Sequence, residues 1–132
     1  MTARVLIVED DALSLKLTRD VLQARGFETH ETADGVTALS MAASLDADLI
    51  VMDIGLPGMD GVEVTRRLKQ DPRTSAIPVV AVTALAMAED EQRMRLAGCD
   101  ALLTKPVRLQ ELVGVVERLI AERPAPDPKT HP

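Results

Sequence analysis

Leu49-Ile50-Val51-Met52-Asp53 is a short apolar run that stops on a carboxylate, and the Ile54-Gly55-Leu56-Pro57-Gly58 behind it can neither extend a strand nor open a helix cleanly. It reads as a buried strand that delivers one aspartate to the rim of a core. The pattern recurs along the chain. Val5-Leu6-Ile7-Val8 runs into Glu9-Asp10-Asp11, Val79-Val80-Ala81-Val82 into Thr83, and Ala101-Leu102-Leu103 into Thr104-Lys105-Pro106.

Helical patterns separate these strands. Asp11 can cap a helix over residues 12–25 whose Leu13, Leu17, Val21 and Ala24 form an apolar stripe, with Gly26 at the left-handed position after its end. Residues 27–32 alternate weakly, as an exposed edge strand does. Ala33-Asp34-Gly35 turns into a second helix with Val36, Leu39 and Ala43 inward. A third, from Asp60 or Gly61 to Asp71-Pro72, buries Val64 and Leu68 and turns Arg66, Arg67 and Lys69 outward, and residues 73–78 form a loop. The fourth, roughly Met87 to Ala97, is so polar, with Glu89, Asp90, Glu91, Arg93 and Arg95, that it is expected to be weakly anchored. The last, residues 108–122, buries Leu109, Leu112, Val116 and Leu119; Val113, Val115 and Ile120 are left either for a partner or as ordinary surface valine and isoleucine. Strict alternation of strand and helix predicts an α/β fold, a doubly wound five-stranded parallel sheet of order 2-1-3-4-5 with right-handed crossovers, as in flavodoxin. The proline-rich residues 123–132 are expected to be disordered.

A chain of 132 residues suits one domain, and 46% hydrophobic with 27% charged residues excludes disorder of the whole. A net charge of −6 with scattered Lys and Arg argues against direct DNA binding, and a single aromatic, Phe27, leaves no stacking platform for bases. The lone Cys99 permits no internal disulfide and reads as a small core residue rather than a nucleophile. No signal-peptide core and no apolar run of membrane-spanning length is present, so a cytoplasmic protein without membrane insertion is expected.

If the strands are parallel, their carboxyl ends share one edge, where ligands bind in open α/β sheets. Glu9, Asp10, Asp53, Thr83 and Lys105 then meet. Two carboxylates about 4 Å apart repel by ~4 kcal/mol at an effective dielectric of about 20, so they stay ionised together only around a cation. Mg2+ suits such an oxygen set and takes phosphate oxygens as further ligands. Asp53 also has the chemistry of a nucleophile toward phosphorus, while Lys105 and Thr83 can neutralise and hold the phosphoryl oxygens. Placement for solubility explains any one of these groups; it does not explain five at four strand ends.

These residues resemble the receiver domain of two-component response regulators: Val5-Leu-Ile-Val-Glu9-Asp10-Asp11, Asp48 to Gly61 with Asp53 and Pro57, Ile77-Pro-Val-Val-Ala-Val-Thr83-Ala84, and Thr104-Lys105-Pro106. The resemblance covers about residues 4–122, with a receiver domain expected over 1–122. Ala38-Leu39-Ser40, Val79 to Met87 and Gly98-Cys99 are further similar to single-domain cell-cycle regulators of the DivK type. The family implies that Asp53 accepts phosphate from a histidine kinase or a histidine phosphotransfer protein. It implies that Asp10, Asp53 and the Gly55 carbonyl bind Mg2+, for which Mn2+ substitutes, with Glu9 acting through water. Thr83 and Lys105 would contact the phosphoryl group, and Lys105-Pro106 would be cis. The protein would catalyse its own phosphorylation without being a turnover enzyme. With no output domain after residue 122, it is expected to signal to a downstream protein target by contact, to pass the phosphoryl group on, or to serve as a phosphorylation-independent scaffold.

Two departures from the family pattern stand out. Leu102 occupies the place of an aromatic that usually swings inward when the threonine moves, and Gly55 and Leu85 offer no polar side chain to orient a hydrolytic water, so slow loss of phosphate is expected. Two other readings of the residues fail. A haloacid-dehalogenase-like phosphatase needs an acid two residues after its nucleophile, where Gly55 stands, and a nucleotide-binding module needs a Gly-rich loop where Glu9-Asp10-Asp11 would repel a pyrophosphate.

Overall fold

The computed structural model describes residues 2–56, 58–84 and 88–122. The expectations for the 123–132 tail, for Leu85 and for Met87 as the start of the fourth helix fall outside those residues. The elements alternate as the sequence predicts: β1 (Arg4–Val8), α1 (Ala12–Ala24), β2 (Glu28–Thr32), α2 (Gly35–Ser44), β3 (Leu49–Asp53), α3 (Gly61–Gln70), β4 (Val79–Thr83), α4 (Ala88–Ala97), β5 (Ala101–Thr104) and α5 (Leu109–Glu122). All strand pairs are parallel and the order is β2-β1-β3-β4-β5, so the predicted fold class and topology hold.

Strands β3 and β4 are buried at every residue because helices cover both sheet faces, which is why they read as unbroken apolar runs. Alternate residues feed two cores. Leu6, Val8, Ile50 and Met52 pack with Val64 and Leu68 of α3 and Ala38 of α2, while Val5, Ile7, Val51 and Val82 pack with Leu22 of α1 and Leu112 and Val116 of α5.

Three helix faces differ from expectation. In α1 the inward side chains are Leu15, Val21 and Leu22, whereas Leu13 is 64% and Leu17 43% exposed and Ala24 is exposed as well. Two apolar stripes overlap on this helix, and only the packing chooses between them. In α2 the residues against the core are Gly35, Ala38 and Ala42, with Leu39 half-buried and Val36 turned to solvent. The approach is close: a Cβ on Gly35 would lie 2.7 Å from Val64 Cγ2, so small residues form the contact. In α5 Val113 is buried, and Val115 and Ile120 pack on the same core, so the apolar excess is largely absorbed internally.

Lys69 does not point outward as expected. Its ammonium lies 2.7 Å from Ile77 O and 3.0 Å from Asp100 Oδ2, and the same carboxylate oxygen accepts from Val79 N at 2.8 Å. Asp48 similarly accepts from Arg4 N at 2.7 Å. Carboxylates thus fasten the amino edge of the sheet to the backbone. Gly26, at φ 91°, ends α1 in the left-handed conformation its sequence position predicts.

Helix α3 buries the hydroxyl of Thr65, which has no hydrogen-bond partner among the described residues. An unsatisfied buried hydroxyl costs about 1–3 kcal/mol, and valine has nearly the same shape. Thr65→Val should therefore stabilise the protein by about 1 kcal/mol, raising the melting temperature by about 4 °C in a calorimetric scan. An unchanged or lower midpoint would contradict this.

Candidate functional site

The carboxyl edge of the sheet gathers the predicted residues. Glu9 follows β1, where its backbone N–H donates to Thr32 O at 3.0 Å, and Asp53 ends β3, whose successor Ile54 N donates to Val82 O at 2.9 Å. The backbone remains in ladder geometry up to the carboxylates, so their positions follow from the sheet. Thr83 ends β4 opposite Thr104, and Lys105 N donates to Thr83 O at 2.7 Å, which ties the lysine backbone to the same edge. The Lys105-Pro106 bond is cis, as the family resemblance implies.

One carboxylate oxygen from each of Glu9, Asp10 and Asp53 lies within 4.8 Å of the others. Glu9 and Asp53 are buried and Asp10 is exposed. The Lys105 ammonium sits 3.3 Å from Glu9 Oε1 and 3.3 Å from Asp53 Oδ2. Gly55 N donates to Asp53 Oδ1 at 3.0 Å, so both Asp53 oxygens are held. Behind the site, α3 starts against the end of β3. A Cβ on Gly61 would meet Asp53 O at 2.6 Å and Ile54 Cα at 2.7 Å, so only glycine lets the helix begin there. Asp60 caps α3 through Val62 N at 2.9 Å and pairs with Arg93 of α4 at 3.2 Å. The cap was legible in the sequence; the partner, 33 residues away, was not.

The electrostatics show a site crowded with negative charge. Burial, then hydrogen bonding to and repulsion by Asp53, pushes the Glu9 carboxyl up to about 7 from an ordinary 4.5. Burial acts upward on Asp53 too, but hydrogen bonds from Glu9 and the Gly55 N–H, with the charge of Lys105, outweigh it and hold Asp53 below the usual range. Burial opposes the Lys105 charge, and the Asp53 and Glu9 carboxylates more than offset it, so its pKa is raised. The two acids are thus driven in opposite directions, Glu9 upward and Asp53 downward. Three carboxylates against one ammonium, all oxygen donors, fit a hard divalent cation, which would allow Glu9 to ionise.

Leu102 stands half-buried in β5 opposite Ala81, where the family pattern has an aromatic. No helix among the described residues is long and apolar enough to cross a membrane.

Comparison with known proteins agrees with this geometry. A model of the response regulator receiver domain matches residues 5–117. The chain is 44% identical over 122 residues to the polar-differentiation response regulator DivK of Brucella ovis, covering 92% of this chain and 99% of that protein. Among solved structures it resembles the receiver domain of a sensor histidine kinase from Pseudomonas aeruginosa PAO1, which has a magnesium ion coordinated in its active-site cleft (TM-score 0.85, 30% identity, 92% of this chain and 100% of that one). It also resembles a CheY-like receiver domain protein from Methanospirillum hungatei JF-1 (TM-score 0.87, 28% identity, 93% and 97%).

The Glu9 shift has a pH signature. Because the folded protein favours the protonated form, Glu9 contributes stability that is full below about 4.5 and is lost as pH rises through about 7. In chelator, the melting temperature should fall between about pH 5 and 8, and Glu9→Gln should remove most of that fall. A fall of equal size in Glu9→Gln would place its origin elsewhere.

Proposed function

The chain belongs to the response regulator receiver family, and from that membership we propose that Asp53 is its phosphoacceptor, taking a phosphoryl group from a histidine kinase or a histidine phosphotransfer protein. The observation that carries this reading is the Lys105 ammonium placed 3.3 Å from carboxylate oxygens of both Glu9 and Asp53, inside a cluster of three carboxylates. An ionised aspartate is the nucleophilic form, and the charge and hydrogen bonds around Asp53 keep it ionised. Its oxygen forms a bond to phosphorus as the phosphorus–nitrogen bond of phosphohistidine breaks, and the imidazole leaves with the electron pair and takes a proton from solvent.

Lys105 releases the carboxylates to bind a phosphoryl oxygen, and the Thr83 hydroxyl, one residue further along the neighbouring strand than the partner of Asp53, takes another. Glu9, Asp10, Asp53 and the Gly55 carbonyl would hold Mg2+, or Mn2+ by the same oxygen chemistry. When bound, the ion neutralises charge on the phosphoryl group. The protein assists its own phosphorylation without being a turnover enzyme. The receiver spans residues 1–122, works in the cytoplasm, and signals by changing its contacts with a downstream protein. The likeness to DivK extends the proposal to polar differentiation and cell-cycle control.

Acetyl phosphate with Mg2+ should label the wild type and not Asp53→Asn, read by intact mass; labelling of Asp53→Asn at the wild-type rate would move the acceptor elsewhere. Thr83→Ala should still be labelled but lose the phosphorylation-dependent gain in partner binding. With glycine at position 55 and no side chain there to orient water, the isolated phosphoprotein should last minutes to hours after donor removal. A lifetime of seconds would refute that expectation.

A further inference from the structure

Helices α1 and α5 leave part of the sheet between them uncovered. A cavity of about 180 Å3 remains, floored by Ile7, Val51 and Val82 and walled by Leu17 of α1 and Leu112 of α5. Protein interiors seldom keep voids larger than a water molecule, since the lining atoms forgo their dispersion contacts. An apolar cavity of about 150 Å3 accepts benzene, so this one has room for about one six-membered ring with a further atom or two. Leu17, 43% exposed, and the exposed Pro106 stand where the lining meets solvent, which gives a small molecule a way in.

At one end the lining includes Glu9, Asp53 and Lys105, groups that serve the cation and the phosphoryl group and do not select what fills the apolar part. The selecting group lies on α1. Thr18 also lines the cavity; it is half-buried, and its hydroxyl has no hydrogen-bond partner among the described residues. A ligand hydroxyl that enters a wholly apolar cavity gives up its water and gains no bond, so such a cavity prefers benzene to phenol. A threonine hydroxyl both donates and accepts, and it restores the bond that was given up. Neither the floor nor Thr18 offers a counter-ion, so the occupant is neutral.

We infer that the α1–α5 cavity binds a small neutral molecule of the phenol class, one ring lying on Ile7, Val51 and Val82 with a single hydroxyl on Thr18. The site goes beyond the phosphoacceptor reading and stands without it, because neither the floor nor Thr18 takes part in holding the cation or the phosphoryl group.

The test is a methyl NMR titration of the full, unphosphorylated chain with phenol and with benzene, each in chelator and again in saturating Mg2+. Both probes should give saturable shifts at the methyls of Ile7, Val51, Val82 and Leu112, with phenol about threefold the tighter, and Mg2+ should leave each affinity within about twofold. Thr18→Val keeps the side-chain shape and removes the hydroxyl. It should weaken phenol by about tenfold, which corresponds to about 1.4 kcal/mol, and leave benzene within about twofold. Benzene binding by the variant also reports its folding, and the wild-type titrations decide the matter even if it folds poorly. No saturable shift at these methyls, phenol weaker than benzene in the wild type, unchanged phenol binding by folded Thr18→Val, or loss of either affinity in Mg2+ would each overturn the inference. The last outcome would put the probe in the cation site. None of them bears on the labelling of Asp53.

Discussion

The structure depends on a repulsion that it does not relieve by distance. Two buried carboxylates, Glu9 and Asp53, face the same small volume, and a single ammonium, Lys105, bridges them at 3.3 Å to each. In water such an arrangement would spread apart. Here both backbones remain ladder-bonded to neighbouring strands almost to the point where the side chains leave, so the acids cannot retreat without breaking the sheet edge. The opposite shifts of Glu9, upward, and Asp53, downward, and the raised pKa of Lys105 are consequences of that fixation. A site held in this condition gains from any cation, and from any reaction that draws Lys105 toward a new anion.

The rest of the fold serves to keep that edge rigid. Opposite the site, Asp48 and Asp100 accept from the backbone at the starts of β1 and β4, and Lys69 bridges Asp100 to the carbonyl of Ile77. Near the site, Gly61 brings α3 against the end of β3 at a distance no side chain would permit. The helices differ in how firmly they are held. Helix α5 buries Leu112, Val113 and Val116. Helix α4 offers Met94 and Ala97 to the interior while Leu96 is 80% exposed, and it is joined to the α3 cap through the Arg93–Asp60 ion pair, an exposed contact of small energetic weight.

Much of this was legible in the sequence because the signal is local. Apolar runs ending in Glu9, Asp53, Thr83 and Lys105 declare parallel strands buried on both faces, and each strand length fixes where its polar residue emerges. Asp11, Asp34 and Asp60 announce helix starts, and the structure uses all three as caps. The chosen faces of α1 and α2 were not legible. Leu13 and Leu17 make as good a helical stripe as Leu15 and Leu22, and hydrophobicity cannot rank them; nor can it show that α2 approaches so closely that Gly35, Ala38 and Ala42 displace Val36 from the contact.

The sequence by itself therefore determined the order of elements, the sheet topology and the identity of the acidic, hydroxyl and lysine groups at one edge, because period and strand length are properties of a few consecutive residues. Tertiary structure alone decided how those groups share charge, where Lys69 and Arg93 find their partners, and that a cavity persists between α1 and α5. Each of these depends on distances between segments far apart in the chain, set by the packing of whole helices on the sheet.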